Sequence, residues 1–180
     1  MKQKNLWSLL SSLVALLIFA TTSAEAQTAT QVARQTREAG GQGYVFIAPG
    51  GRSTDDATLH VGGGGEYVFN SGGSVGAELG YLSPIERLNA GFGVFSANGG
   101  YHFKKASRSG KTVPFLTAGF TGIFNDSGGE GGLNFGGGVS HWFKDRVGVR
   151  LEFRDNVFGF ASGGNRYVHY LNARVGLTFR

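Results

Sequence analysis

The sequence predicts an all-β fold, an eight-stranded antiparallel up-and-down transmembrane β-barrel. Three observations carry that expectation. In the final segment, Leu171, Ala173, Val175, Leu177 and Phe179 fall on one face, while Asn172, Arg174, Gly176 and Thr178 fall on the other. Successive side chains of a strand point to opposite sides, so this two-residue period marks a strand with one apolar face. The composition is the second: 32 Gly and 15 Phe stand against 3 Pro and 1 Met, an excess that suits short strands better than packed helices. The third lies at the amino terminus, where a short cationic start is followed by an apolar run.

That run extends from Leu6 to Ala20 and gives way to Ala24-Glu25-Ala26, a small-x-small cleavage pattern. Residues 1–26 therefore read as a secretory signal peptide, removed before Gln27. The apolar run is short for a membrane-spanning helix, which requires about 20 residues. With 0 Cys the chain has neither disulfides nor a lipid-anchored cysteine. Residues 27–41 are polar and aperiodic and read as a flexible tail, leaving 42–180 as one barrel domain. The formal net charge of +5 falls by one when Lys2, Lys4 and Glu25 leave with the signal. The remaining basic residues form no helix face or loop cluster, so no nucleic-acid partner is expected.

Strands are expected near 43–49, 57–69, 74–82, 91–103, 112–123, 132–143, 146–158 and 167–179, several of them long enough to cross a bilayer at a tilt. Leu59, Val61, Tyr67 and Phe69 oppose His60, Gly62, Gly64 and Glu66. Val75, Ala77, Leu79 and Tyr81 oppose Gly76, Glu78 and Gly80. Strands four, six and seven alternate in the same way, whereas the fifth, with Phe115, Leu116 and Phe120, fits either register.

Alternation alone fits equally well a soluble periplasmic carrier barrel with an apolar interior. Three features favour an apolar exterior. Lys104, Lys105, Lys111 and Lys144 all fall in expected turns, whereas a soluble wall needs charged side chains. The polar face is rich in Gly, Ser and Asn, which suits the cramped inside of eight strands. Aromatics gather at strand ends: Tyr67, Phe69, Tyr101, Phe103, Phe143 and Phe179 at one rim, Tyr81, Phe92, Phe158 and Tyr167 at the other.

With this pattern the chain resembles the small eight-stranded outer-membrane barrels of the OmpA and OmpX type over residues 42–180. The resemblance implies residence in the cell outer membrane, with lipid around the wall. It also implies that the last strand, through Leu171, Val175, Leu177 and Phe179, is read by the barrel-assembly machinery. Arg180 follows Phe179 where that family ends on an aromatic residue. A monomer is expected.

Glu66, Glu78, Arg150, Glu152, Arg154 and Arg174 share the polar face and should meet inside the barrel. Buried charges persist when paired, so the expectation is a charge network that plugs the lumen, in a non-catalytic protein of envelope integrity or surface interaction. The alternative is a narrow low-conductance pore in which these pairs exchange partners. A lipid-modifying enzyme would place a nucleophile at the outer rim, where Ser53, Asp55, Asp56 and His60 are the local candidates, without a nucleophile elbow. His60, His102, His141 and His169 lack metal-ligand spacing, and no helix follows the runs Gly62–Gly65 and Gly136–Gly138, so neither a metal nor another cofactor is expected.

Overall fold

In the computed structural model, which describes residues 39–52, 57–106, 110–159 and 167–180, eight strands follow one another in chain order around a closed barrel. They are β1 (Gly40–Arg52), β2 (Ala57–Val68), β3 (Gly73–Pro84), β4 (Phe92–His102), β5 (Thr112–Asn125), β6 (Gly128–Trp142), β7 (Val147–Phe158) and β8 (Val168–Phe179). Each pairs antiparallel with its neighbours, and β1 pairs with β8 to close the wall. Closure leaves no unpaired sheet edge, the condition for strands to sit in lipid. Residues 1–26 and nearly all of 27–41 lie outside the described residues, as do Ser53, Asp55 and Asp56.

The strands run past their expected ends where glycine is dense. β1 begins at Gly40, opposite Val68, and continues through Gly50 and Gly51. β5 and β6 run to Asn125 and from Gly128, where a connection over 125–131 was expected; they join through a tight turn at Asp126-Ser127. Gly128 takes φ 137° there, and the Ser127 amide donates to Asn125 Oδ1 at 2.9 Å. Glycine carries no side chain to register in a period-2 pattern, yet its amide pairs as any other does.

The outward set is as expected. Val75, Leu79, Leu116, Phe120, Phe135, Phe153 and Val175 are all exposed, and no lysine or arginine stands among them. Tyr67, Phe69, Tyr101, Phe103, Phe143 and Phe179 form the exposed aromatic rim at the end that carries the β2–β3, β4–β5 and β6–β7 connections. At the opposite end the expectation needs correction. Phe158 is buried, edge-to-face with Tyr170 at 5.8 Å, and so closes the interior instead of joining an outer belt. Tyr81 and Tyr167 remain outside. The Tyr81 hydroxyl also accepts from the Gly91 amide (2.9 Å) and donates to Leu88 O (3.2 Å), tying down the β3–β4 loop.

β5 resolves as even-outward. Val113 and Phe115 are buried inside, whereas Leu116 and Phe120 face out. Phe115 points inward because a cation lies on it: the Arg150 guanidinium stands 3.8 Å from its ring centre.

Two glycines are dictated by space or dihedral. A Cβ on Gly64 would lie 2.6 Å from Ala77 O and 2.8 Å from Glu78 Cγ, so its absence lets the Glu78 side chain enter the lumen. Gly72, in the β2–β3 turn, has φ 98° and accepts at its carbonyl from the His102 amide, and a Cβ there would lie 2.6 Å from His102 O. Gly72→Ala is expected to destabilise the barrel by about 1–3 kcal/mol. A lower urea midpoint for the variant refolded in detergent would register it, and an unchanged midpoint would refute it.

Candidate functional site

The six charged residues expected in the lumen do meet there. Glu78, from β3, is the central acceptor: its Oε2 takes Arg154 Nη1 at 2.8 Å and Arg174 Nη1 at 2.9 Å, and its Oε1 takes the Tyr44 hydroxyl at 2.8 Å. Arg154 also pairs with Glu152, which accepts from Arg150 Nε at 3.1 Å. Arg150 reaches across to Glu66, and Glu66 Oε2 lies 3.0 Å from His102 Nε2. At the other end Arg174 Nη2 stands 3.4 Å from His60 Nδ1. One unbroken chain of contacts thus runs from His102 through three carboxylates and three guanidinium groups to His60, and its formal charge balances.

Local sequence explains how each member is aimed. Arg150, Glu152 and Arg154 occupy alternate positions of β7 and stack along one inward face. Their partners across the lumen come from β2 and β3, and β8 adds Arg174 to Glu78, all brought together by barrel closure. Every one of the six side chains is at least nine-tenths buried. Burial of charge is tolerated because each group has partners on more than one side.

Aromatic rings complete the packing. Arg150 lies over Tyr44 (4.6 Å) as well as Phe115, and Arg174 lies over Phe46 (4.3 Å). Phe46 meets the His60 ring edge-on at 5.0 Å. Toward the end away from the β6–β7 turn a neutral layer follows. Asn134 Nδ2 donates to Asn98 Oδ1 (2.9 Å) and Thr121 Oγ1 (2.7 Å), and Thr121 contacts Ser96 at 2.9 Å. The internal voids beside the network, near Tyr44 and near His60, are each about 10 Å³. That is about the room a single water requires.

Sequence reading missed Tyr44, Phe46 and Phe115. The run Tyr44-Val-Phe-Ile-Ala48 is apolar on both faces, so period-2 alternation is invisible there. It also missed Asp155, whose Oδ2 lies 2.8 Å from His169 Nδ1 on the outward series of β7. His60, the histidine weighed for rim catalysis, is buried against Phe46 and Arg174 and does not face the rim. Among the described residues no group of three or more His, Cys, Asp or Glu is placed to hold a metal ion. In the last strand, Leu171, Val175 and Phe179 are exposed and Leu177 is half-buried on the same face.

An apolar exterior, a closed eight-strand wall and an ion-paired interior define an up-and-down transmembrane β-barrel. The fold is shared with the N-terminal β-barrel domain of Pseudomonas aeruginosa OprF, at 14% identity and TM-score 0.53, over 79% of this chain and 100% of that one. It is shared also with Neisserial surface protein A (NspA), at 18% identity and TM-score 0.55, over 77% of this chain and 94% of that one. No protein-family model and no curated protein sequence matches the chain.

Proposed function

We propose that the protein is an integral outer-membrane barrel whose lumen is plugged by its charge network, serving envelope integrity or surface interaction without catalysis. The observation that carries this reading is the continuous Glu66–Arg150–Glu152–Arg154–Glu78–Arg174 chain, beside which the voids are about 10 Å³. A hydrated ion does not fit such voids. A rigid barrel of this kind presents its connections on either side of a membrane while adding no leak.

The export signal at 1–26 and the last strand with Leu171, Val175, Leu177 and Phe179 support delivery to the outer membrane through the barrel-assembly machinery, as a monomer surrounded by lipid. The soluble-carrier alternative calls for an apolar ligand cavity within the barrel, and the described interior is polar and filled. Planar-bilayer recording tests the plug: the wild-type protein is expected to give no sustained current. A steady, reproducible conductance would overturn the plug and install the narrow-pore alternative, in which Arg and Glu exchange partners to open a path.

A further inference from the structure

The inner mouth, at the end carrying the β6–β7 turn, holds a cavity of about 260 Å³ that borders the charge network at His102. Lys104, Arg146 and Arg180 line it, with Asp145 as the sole acidic side chain among the lining residues. Trp142 forms its floor, buried, with the Arg180 guanidinium 4.0 Å above the indole. That stacking leaves the edge of the guanidinium for hydrogen bonding. Arg180 Nε donates to Asp145 O at 2.8 Å, while Nη2 is buried and has no hydrogen-bond partner.

Ser140 supplies an independent observation. It lines the same cavity at 2% exposure, and its Oγ is likewise buried without a partner. Buried polar groups in folded proteins are nearly always satisfied, so two orphans on one cavity wall call for a group from outside the chain. Burial, with Arg180 nearby, also holds the Lys104 ammonium below the usual lysine range, and burial lowers Arg180 despite Asp145. An anion in the cavity would favour both charged forms.

We propose that this mouth is a binding site for an oxyanion, a carboxylate or phosphate group carried by a molecule on the inner side of the membrane. The oxyanion accepts from Arg180 Nη2 and from the Ser140 hydroxyl, with Arg146 and Lys104 adding positive charge. The size of the cavity admits such a group with a few attached atoms, not a large ligand. The proposed donors, Arg180 and Ser140, are not members of the lumen network, so the site stands or falls independently of whether the barrel conducts.

The chain carries 2 Trp, Trp7 and Trp142, so the Trp7→Phe variant of the full chain reports on the cavity alone by its fluorescence. Folded in detergent, it is titrated with inorganic phosphate and, separately, with acetate, against chloride at matched ionic strength. A saturable change in Trp142 emission is expected, weakened about tenfold by Arg146→Gln or Ser140→Ala. Glu130→Gln, at the opposite end, should leave it unchanged. Heat-dependent gel mobility identifies the folded variants. Response to phosphate alone assigns a phosphoryl group, and response to acetate alone assigns a carboxylate. No saturable response to either anion, or one that Arg146→Gln and Ser140→Ala both leave intact, overturns the site.

Discussion

Glu78→Ala is expected to destabilise the barrel by about 3–5 kcal/mol, the loss typical of removing one partner from a buried ion pair. Glu78 is 3% exposed and accepts from Arg154, Arg174 and Tyr44 at once. Truncation strands two guanidinium groups in the interior, with Glu152 the remaining carboxylate beside Arg154. Urea unfolding of the barrel refolded in lipid vesicles, followed by gel mobility without boiling, would measure the change. In planar bilayers the same variant should add intermittent current noise, because the lumen network loses its central acceptor. Wild-type-like stability and a silent trace together would mean that the network neither holds the lumen together nor closes it. Glu78→Gln provides the graded comparison, retaining an acceptor for Tyr44 while removing the charge.

Leu79→Arg, one residue further on, tests the opposite face. Leu79 is 63% exposed at the middle of β3, opposite Gly63 on one side and the outward Phe95 on the other. In a membrane barrel an arginine near the midplane costs about 2–4 kcal/mol. On the wall of a soluble protein the same surface change usually falls within about 0.5 kcal/mol. Folding yield and urea midpoint in vesicles should therefore drop. Unaltered folding into vesicles, with better solubility in the absence of detergent, would argue that the outer wall meets water. Adjacent positions with such different expected failures, one from an unpaired charge and one from a charge in lipid, follow directly from the alternation of a strand.

The architecture was legible in the sequence because strand geometry projects onto it. A period of two identifies each strand, and glycine-rich punctuation with turn lysines separates them. Exclusion of charge from one face tells lipid from lumen. Glu66, Glu78, Arg150, Glu152, Arg154 and Arg174 could be placed inside by parity alone. Parity fails where both faces are apolar, as in Tyr44 to Ala48, or where an aromatic ring turns inward beneath a cation, as Phe115 does beneath Arg150. It also fails where glycine removes the pattern, which is why β1 and β6 run beyond their expected ends.

Partnership within the lumen was decided only by the tertiary structure. Glu66 and Arg150 are 84 positions apart, and Glu78 and Arg174 are 96 apart. Which carboxylate meets which guanidinium depends on the stagger with which β1 closes on β8, and no local spacing encodes that stagger. The inner-mouth cavity arises likewise from residues of distant strands and turns that meet only at closure. Local chemistry determined which side of the wall each residue faces, since every strand carries that information in itself. The closed barrel determined what each residue finds on the far side.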